Sequence, residues 1–197
     1  MKILFLLPVA LIAAAAPFHR STKVEQQLGE HDWVVDPVHS SVVFQVKHAN
    51  ASWFFGTFDK IEGEVTLDEA APEKGSVKLT IPVDSVDTND QKRDGHLKGS
   101  DFFNSAENPE ITFTSTKIAK KGDKLSVTGD MSMAGHTKSI TMTVDKVGEG
   151  EFYGARKGYL AMFTIKRSDF GMTYGVDKNV LGDDVSLHVG LELVKGK

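Results

Sequence analysis

Val185-Ser186-Leu187-His188-Val189-Gly190-Leu191-Glu192-Leu193 places an apolar residue at every second position. Successive side chains of a β-strand point to opposite faces, so this stretch predicts a strand with one face buried and the other wet. The same period recurs upstream, at Ala161, Phe163 and Ile165, at Ile140, Met142 and Val144, and at Leu125, Val127, Met131 and Met133. Further back it marks Ile111 and Phe113, then Val77, Leu79, Ile81 and Val83, then Gly63, Val65 and Leu67, and first Val42, Phe44 and Val46. Turn-forming clusters separate the runs at hairpin spacing: Glu73-Lys74-Gly75, Lys121-Gly122-Asp123 and Gly148-Glu149-Gly150. The count comes to about eight strands, at which an antiparallel sheet can close and hide its edges. An all-β, antiparallel eight-stranded barrel is therefore expected, with a two-sheet sandwich as the alternative sharing the same alternation.

One stretch breaks the rhythm. Thr88 to Phe103 is polar and charged without alternation, and it predicts a short helix near residues 88–100, with Asp87 or Thr88 as its cap, lying across one barrel end.

Composition narrows the functional classes. The 197 residues are 40% hydrophobic and 25% charged with a formal net charge of −4, leaving no cationic excess to neutralise phosphates of a nucleic acid. Cysteine is absent, so there is neither a disulfide framework nor a Cys for a lipoprotein-type acyl anchor. At the N-terminus, Lys2 precedes an apolar run from Ile3 to Ile12 and then Ala13 to Ala16. That pattern reads as a signal peptide over residues 1–16, with cleavage after Ala15 favoured because a cut at Ala16 would leave Pro17 next to it; the run falls short of the roughly 20 apolar residues of a membrane-spanning helix. A polar leader over residues 17–30 and one domain over residues 31–197 follow, with a periplasmic or secreted destination. Asn50-Ala51-Ser52 fits a glycosylation acceptor, a triplet common by chance.

The chemistry-bearing residues give little support for a reaction. No two of the seven His have metal-site spacing, and no Ser sits in a nucleophile elbow. His39, His48 and His96 read as structural, His136 as exposed in a hairpin turn. Arg93, Asp94 and His96 are close enough in sequence for an acid/base pair, but a network closing the barrel end is the better reading. Arg167 and Asp169 share a face under alternation, which predicts a salt bridge, with a polar head-group contact as the alternative. Aromatics and methionines occupy many apolar positions, and flexible Met suits an adaptable cavity. Trp53-Phe54-Phe55, expected in a loop, is a candidate rim or transient membrane contact, with packing over a barrel end as the equal alternative.

Ordered blocks then point to a family. They are Trp33, Asp36-Pro37, His39-Ser40, Phe44 and His48; Gly56-Thr57-Phe58; Arg93-Asp94-Gly95-His96-Leu97 with Asp101-Phe102-Phe103; Pro109 and Phe113 to Thr116; Gly129, Gly135 and Thr137; Arg167 to Met172; and Gly182-Asp183, Val185 and Glu192. From Trp33 to Val194 the chain resembles the YceI family of lipocalin-like, polyisoprenoid-binding exported proteins. Met131, Met133 and His136 depart from the aliphatic residues expected there. The resemblance implies a barrel with a long apolar channel for a polyprenyl chain, an isoprenoid quinone or a similar lipid, carried as cargo and not as a cofactor. Phe44, Val46, Phe58, Phe103, Phe113, Met131, Met142, Phe163, Phe170 and Val189 are the candidate ligand-binding residues, with no catalytic or metal-binding residue assigned. Monomer and homodimer both remain open. Two rival readings are an enzyme working on a lipid or quinone head group at the barrel mouth, and a stress-related scaffold whose interior is filled.

Overall fold

A computed structural model describes residues 29–195; the expected signal peptide (residues 1–16) and most of the expected leader (17–30) lie outside the described residues. The alternating runs become strands β1 (Asp32–Val35), β2 (Ser41–His48), β3 (Ser52–Phe58), β4 (Glu62–Thr66), β5 (Ser76–Pro82), β6 (Val86–Asp87), β7 (Glu110–Lys121), β8 (Lys124–Met133), β9 (His136–Glu151), β10 (Ala155–Lys166) and β11 (Leu181–Val194), with one helix, α1 (Gln91–Lys98). Every pairing is antiparallel, and β11 returns to β1, closing the sheet.

Eleven segments make an eight-stranded wall because the first six are three long strands, each broken once. β1 and β2 run together along β11, through Val34↔Val194 and Ser41↔Gly190. Their other side faces β4 and β3, and these in turn face β5 and β6. Two of the breaks have a local cause. Pro37 cannot donate to a ladder, and the Asp36 carboxylate takes the Val38 N–H at 2.9 Å. Pro82 precedes the 3-10 turn Val83–Ser85, and Asp59 N donates across the gap to Ser85 O at 2.9 Å. Counted this way, the wall is the closed eight-stranded barrel that the alternation predicts.

Two local expectations need correction. Gly148, Glu149 and Gly150 are not a turn but the end of β9; the chain reverses at Phe152–Gly154, where Tyr153 (φ 51°) and Gly154 (φ 117°) take left-handed conformations. Glycine lacks the side chain that would mark a strand position as buried or wet, so its cluster misleads. The cap of α1 is Asp90, whose side chain accepts the Arg93 N–H at 2.9 Å, instead of Asp87 or Thr88. Asp87 serves the neighbouring Asn89 N–H, and Thr88 is buried against Asp94.

Candidate functional site: an apolar bore between two unlike ends

Inside the wall, the inward-facing residues enclose two apolar cavities. The centre of a water-sized sphere has about 90 Å³ in one and about 100 Å³ in the other. A single water needs roughly 10–15 Å³ on that measure, so the barrel is not filled by its own side chains. No polar surface lines either cavity. Ile81, Ile111, Met131, Phe163 and Val189 wall both, and form a waist where one cavity meets the other. Val185, Leu187, Val189, Leu191 and Leu193 of β11, all of one parity, run the length of the bore.

Nine of the ten candidate binding residues line this bore. Phe44, Val46, Phe58 and Phe103 belong to the cavity nearer α1, Phe113 and Met142 to the other, and Met131, Phe163 and Val189 to the waist. Phe170 does not line it. The chain leaves the β conformation at Arg167–Phe170, a 3-10 turn, so strand parity no longer places its ring, which is packed into the core with 1% exposure. Room for two of the rings comes from glycine. A Cβ on Gly56 would lie 2.3 Å from Phe44 Cζ, and one on Gly129 2.5 Å from Phe113 Cζ.

The end under α1 is packed with aromatic side chains. Phe102 and Phe103 are buried, Phe103 packs edge-on against Phe58 at 5.6 Å, and Met172 and Phe170 fill the space beside them. Arg167, 3% exposed, does not reach Asp169. Its Nε donates to Gly182 O (2.8 Å), Nη1 to Met172 O (2.7 Å), and Nη2 to Tyr174 O (2.7 Å) and Leu181 O (2.9 Å). The expected salt bridge is thus a cage of carbonyls, because the guanidinium fork is buried where the loop from Gly171 to Leu181 folds back over it. Burial lowers the Arg167 pKa, against the opposing charge of Asp183. Asp183 itself accepts the Ser168 N–H and hydroxyl at 2.9 and 2.8 Å.

The suspected acid/base pair is not assembled. Asp94 accepts from Thr88 N at 2.9 Å and from the Thr88 hydroxyl. Arg93 donates from Nε to that hydroxyl (2.9 Å) and from Nη2 to Thr88 O (2.6 Å), and stacks over Phe54 at 4.3 Å. His96 turns the other way, to Asp101 Oδ2 at 2.9 Å, with Phe102 and Tyr174 edge-on to its ring. These residues brace α1 and its loop, as the structural reading expects. Trp53, Phe54 and Phe55 lie in β3 and not in a loop; Trp53 and Phe55 are on the outer face, each 55% exposed.

Among the described residues, one group has near-ligand spacing for a metal, Asp36, His39 and Glu192. A cation already sits there: Arg156 Nη1 is 2.7 Å from Asp36 Oδ2 and also bonds Glu192. His39 Nδ1 is 2.9 Å from the same Asp36 oxygen. Hydrogen bonds from His39 and Arg156 hold the Asp36 carboxyl well below the usual range.

The opposite end is polar. Residues directly opposite in an antiparallel ladder share a face. Lys120 pairs with Leu125, Tyr159 with both Lys146 and Leu191, and Lys157 with Leu193, and all three leucines line the bore. Three lysines therefore continue the inward face beyond its apolar rows. Glu69, on the segment between β4 and β5, reaches across to them, accepting from Lys146 Nζ (2.7 Å), Tyr159 Oη (2.7 Å) and Lys157 Nζ (3.4 Å). Burial pushes the Glu69 carboxyl up, but the bonds from Lys146 and Tyr159 and the charge of Lys157 outweigh it and hold the pKa at about 2. Burial, then the bond to Glu69, drives the Tyr159 phenol far above its ordinary value. None of these residues was singled out from sequence. The available signal was parity: Lys120 stands two residues after Ile118, Lys146 two after Val144, and Lys157 and Tyr159 precede Ala161 in step.

A closed eight-stranded meander around an apolar bore defines the class: a lipocalin-like barrel protein. Comparison with known proteins places it more narrowly. A family model described as the YceI-like domain matches residues 33–193, and the chain belongs to that family. It is 39% identical to Protein YceI of Escherichia coli O157:H7 over 161 residues, 81% of this chain and 83% of that one. Among solved structures, Burkholderia cenocepacia BcnA matches with a TM-score of 0.74 at 29% identity, over 80% of this chain and 98% of the other. The Campylobacter jejuni YCEI protein matches at 0.68 and 30% identity, over 77% and 90%. A polyisoprenoid binding domain from Saccharophagus degradans shares the fold at 0.65 and 18% identity, over 83% and 98%.

Proposed function

We propose that this protein is an exported carrier that holds one long apolar chain, a polyprenyl or isoprenoid-quinone tail, inside the barrel without altering it. The observation that carries this reading is the bore itself: two cavities without polar surface, sharing five wall residues, in a barrel whose own side chains leave them empty. Each buried methylene contributes about 0.8 kcal/mol, so a few prenyl units suffice for micromolar binding after the cost of association. Met131 and Met142, flexible and polarisable, suit a wall that must fit a branched chain. A structural neighbour is described as a polyisoprenoid binding domain, which fits the same ligand class. Export rests on Lys2, the apolar run after it and the alanines before Pro17.

The test is mass spectrometry of protein produced with its own N-terminus in an exporting host, first native and then solvent-extracted. A polyprenyl or quinone released at about one per chain is expected, from a mature form that has lost its first fifteen or sixteen residues. Protein that is bare as isolated and stays bare when polyprenols and quinones are added would end the carrier reading.

A further inference from the structure

We propose that two turns on the outer side of the lysine-bearing end, Asp36–Ser40 and Phe152–Gly154, form a tip that docks on a lipid bilayer by inserting Val38, Phe152 and Tyr153 into its surface. The proposal concerns where the protein meets a membrane, and it stands whether or not the bore carries a lipid.

Tyr153 is 95% exposed, Val38 80%, Val147 70% and Phe152 60%. Single exposed apolar residues are ordinary, but these four gather about one side chain, Arg156. Its Nε donates to Phe152 O at 2.7 Å, and its guanidinium carbon lies 5.6 Å from the centre of the Phe152 ring. Its Nη1 bonds Asp36 Oδ2 and Glu192, and the other Asp36 oxygen accepts the Val38 N–H. Val147 is the extra residue of a bulge between β9 and β10 and lies against Gly158, which pairs with Glu192. Leu191 and Leu193 take the inner face, so Glu192 and everything built on it belong to the outer one. The Phe152 and Tyr153 rings meet edge-on with centroids 4.6 Å apart. One partly buried ion cluster thus fixes both turns. Rings held in water add little to the stability of the fold, whereas a tip already ordered loses less entropy when it docks.

Shape and charge select a lipid surface over a protein. At these exposures the two rings offer roughly 300 Å², against the ~800 Å² per partner of a stable protein interface. A bilayer needs no matching surface, and tyrosine favours its interfacial zone. The cations beside the tip are already matched: Arg156 by Asp36 and Glu192, Lys146 and Lys157 by Glu69 and Glu149. Glu151, next to Phe152, is exposed and has no cation within ion-pair distance among the described residues. Attraction is therefore apolar, and neutral lipid is favoured over anionic lipid. Trp53 and Phe55 differ, standing on the straight strand β3 opposite Lys47 and Gln45.

The experiment is flotation of the full mature protein with vesicles of phosphatidylcholine, and with vesicles in which phosphatidylglycerol replaces part of it. Binding to phosphatidylcholine that is insensitive to salt, and weaker with phosphatidylglycerol present, is expected. Phe152→Ser/Tyr153→Ser should weaken it at least tenfold with an unchanged melting curve, since both residues are exposed. Trp53→Ser/Phe55→Ser should leave it as it was. In Tyr153→Trp the added fluorescence should shift to the blue on mixing with vesicles, a gain of signal that a folding defect cannot imitate. No binding by the unmodified protein overturns the proposal, as does binding that survives loss of both tip rings. Loss confined to the Trp53/Phe55 variant moves the contact to the wall of β3 and overturns it too. Binding that needs phosphatidylglycerol and fades with salt identifies electrostatic adsorption instead, and self-association abolished by the tip variant without vesicle binding identifies a second copy as the partner. Cargo is read separately by solvent extraction, so this proposal and the carrier reading can each fail alone.

Discussion

The two ends of this barrel are closed by opposite means. Under α1, aromatic rings pack shut and a buried Arg167 is satisfied entirely by main-chain carbonyls, so nothing is left over for a ligand. At the other end a strap carrying Glu69 is held by partly exposed lysines, and its contacts are ones that water can replace. A dry, fully paired plug is expensive to disturb, whereas a wet ion cluster is cheap. The difference gives the bore a floor and a mouth.

That contrast can be broken most severely at the floor. Replacing Arg167 with Leu strands four carbonyls in a dry site, and urea denaturation should show a loss of about 3–5 kcal/mol. A loss below about 1 kcal/mol would mean that the floor is as replaceable as the mouth. Between the two ends, Val189→Trp at the waist should cost about 1–3 kcal/mol through overpacking and abolish uptake of long chains. Retained uptake would show that the tail stops short of the waist. The smallest effect belongs to the mouth. Glu69→Gln should change stability at neutral pH by less than about 1 kcal/mol, because the carboxylate is a third exposed. Its signature is in acid. The folded pKa of about 2 lies below the ordinary 4.5, so the contribution of Glu69 is complete above 4.5 and disappears as the pH falls through about 2. Melting curves of the variant should lose that part of the acid dependence.

Much of the wall was legible from period-two alternation alone, since strand parity decides which side chains face inward. Val185, Leu187, Val189, Leu191 and Leu193 face the bore as their parity predicts, and nine of the residues offered for ligand binding stand in the same wall. Parity stops being informative where the chain leaves the strand, which is why Phe170 was assigned to the bore and Arg167 to Asp169. It also fails at glycines, as at Gly148 and Gly150. The lysines of the mouth were missed for a different reason. Hydrophobic period was the cue, and Lys120, Lys146 and Lys157 keep the period while dropping the hydrophobicity. Only the pairing of four strands brings them together with Glu69, and register across strands is not written in any single stretch.

The pairing of β11 with β1 and β2 has a kinetic consequence. Around the ring each strand otherwise pairs with its neighbour in sequence, so nearly all the long-range separation is concentrated in this one ladder, exemplified by Val34 and Val194. Loop-closure entropy grows only logarithmically with the length spanned, and a meander already assembled presents its two free edges at short distance. Ring closure is then a late and inexpensive step in folding. Until it occurs, the apolar face that will become the bore is an open trough accessible along its whole length.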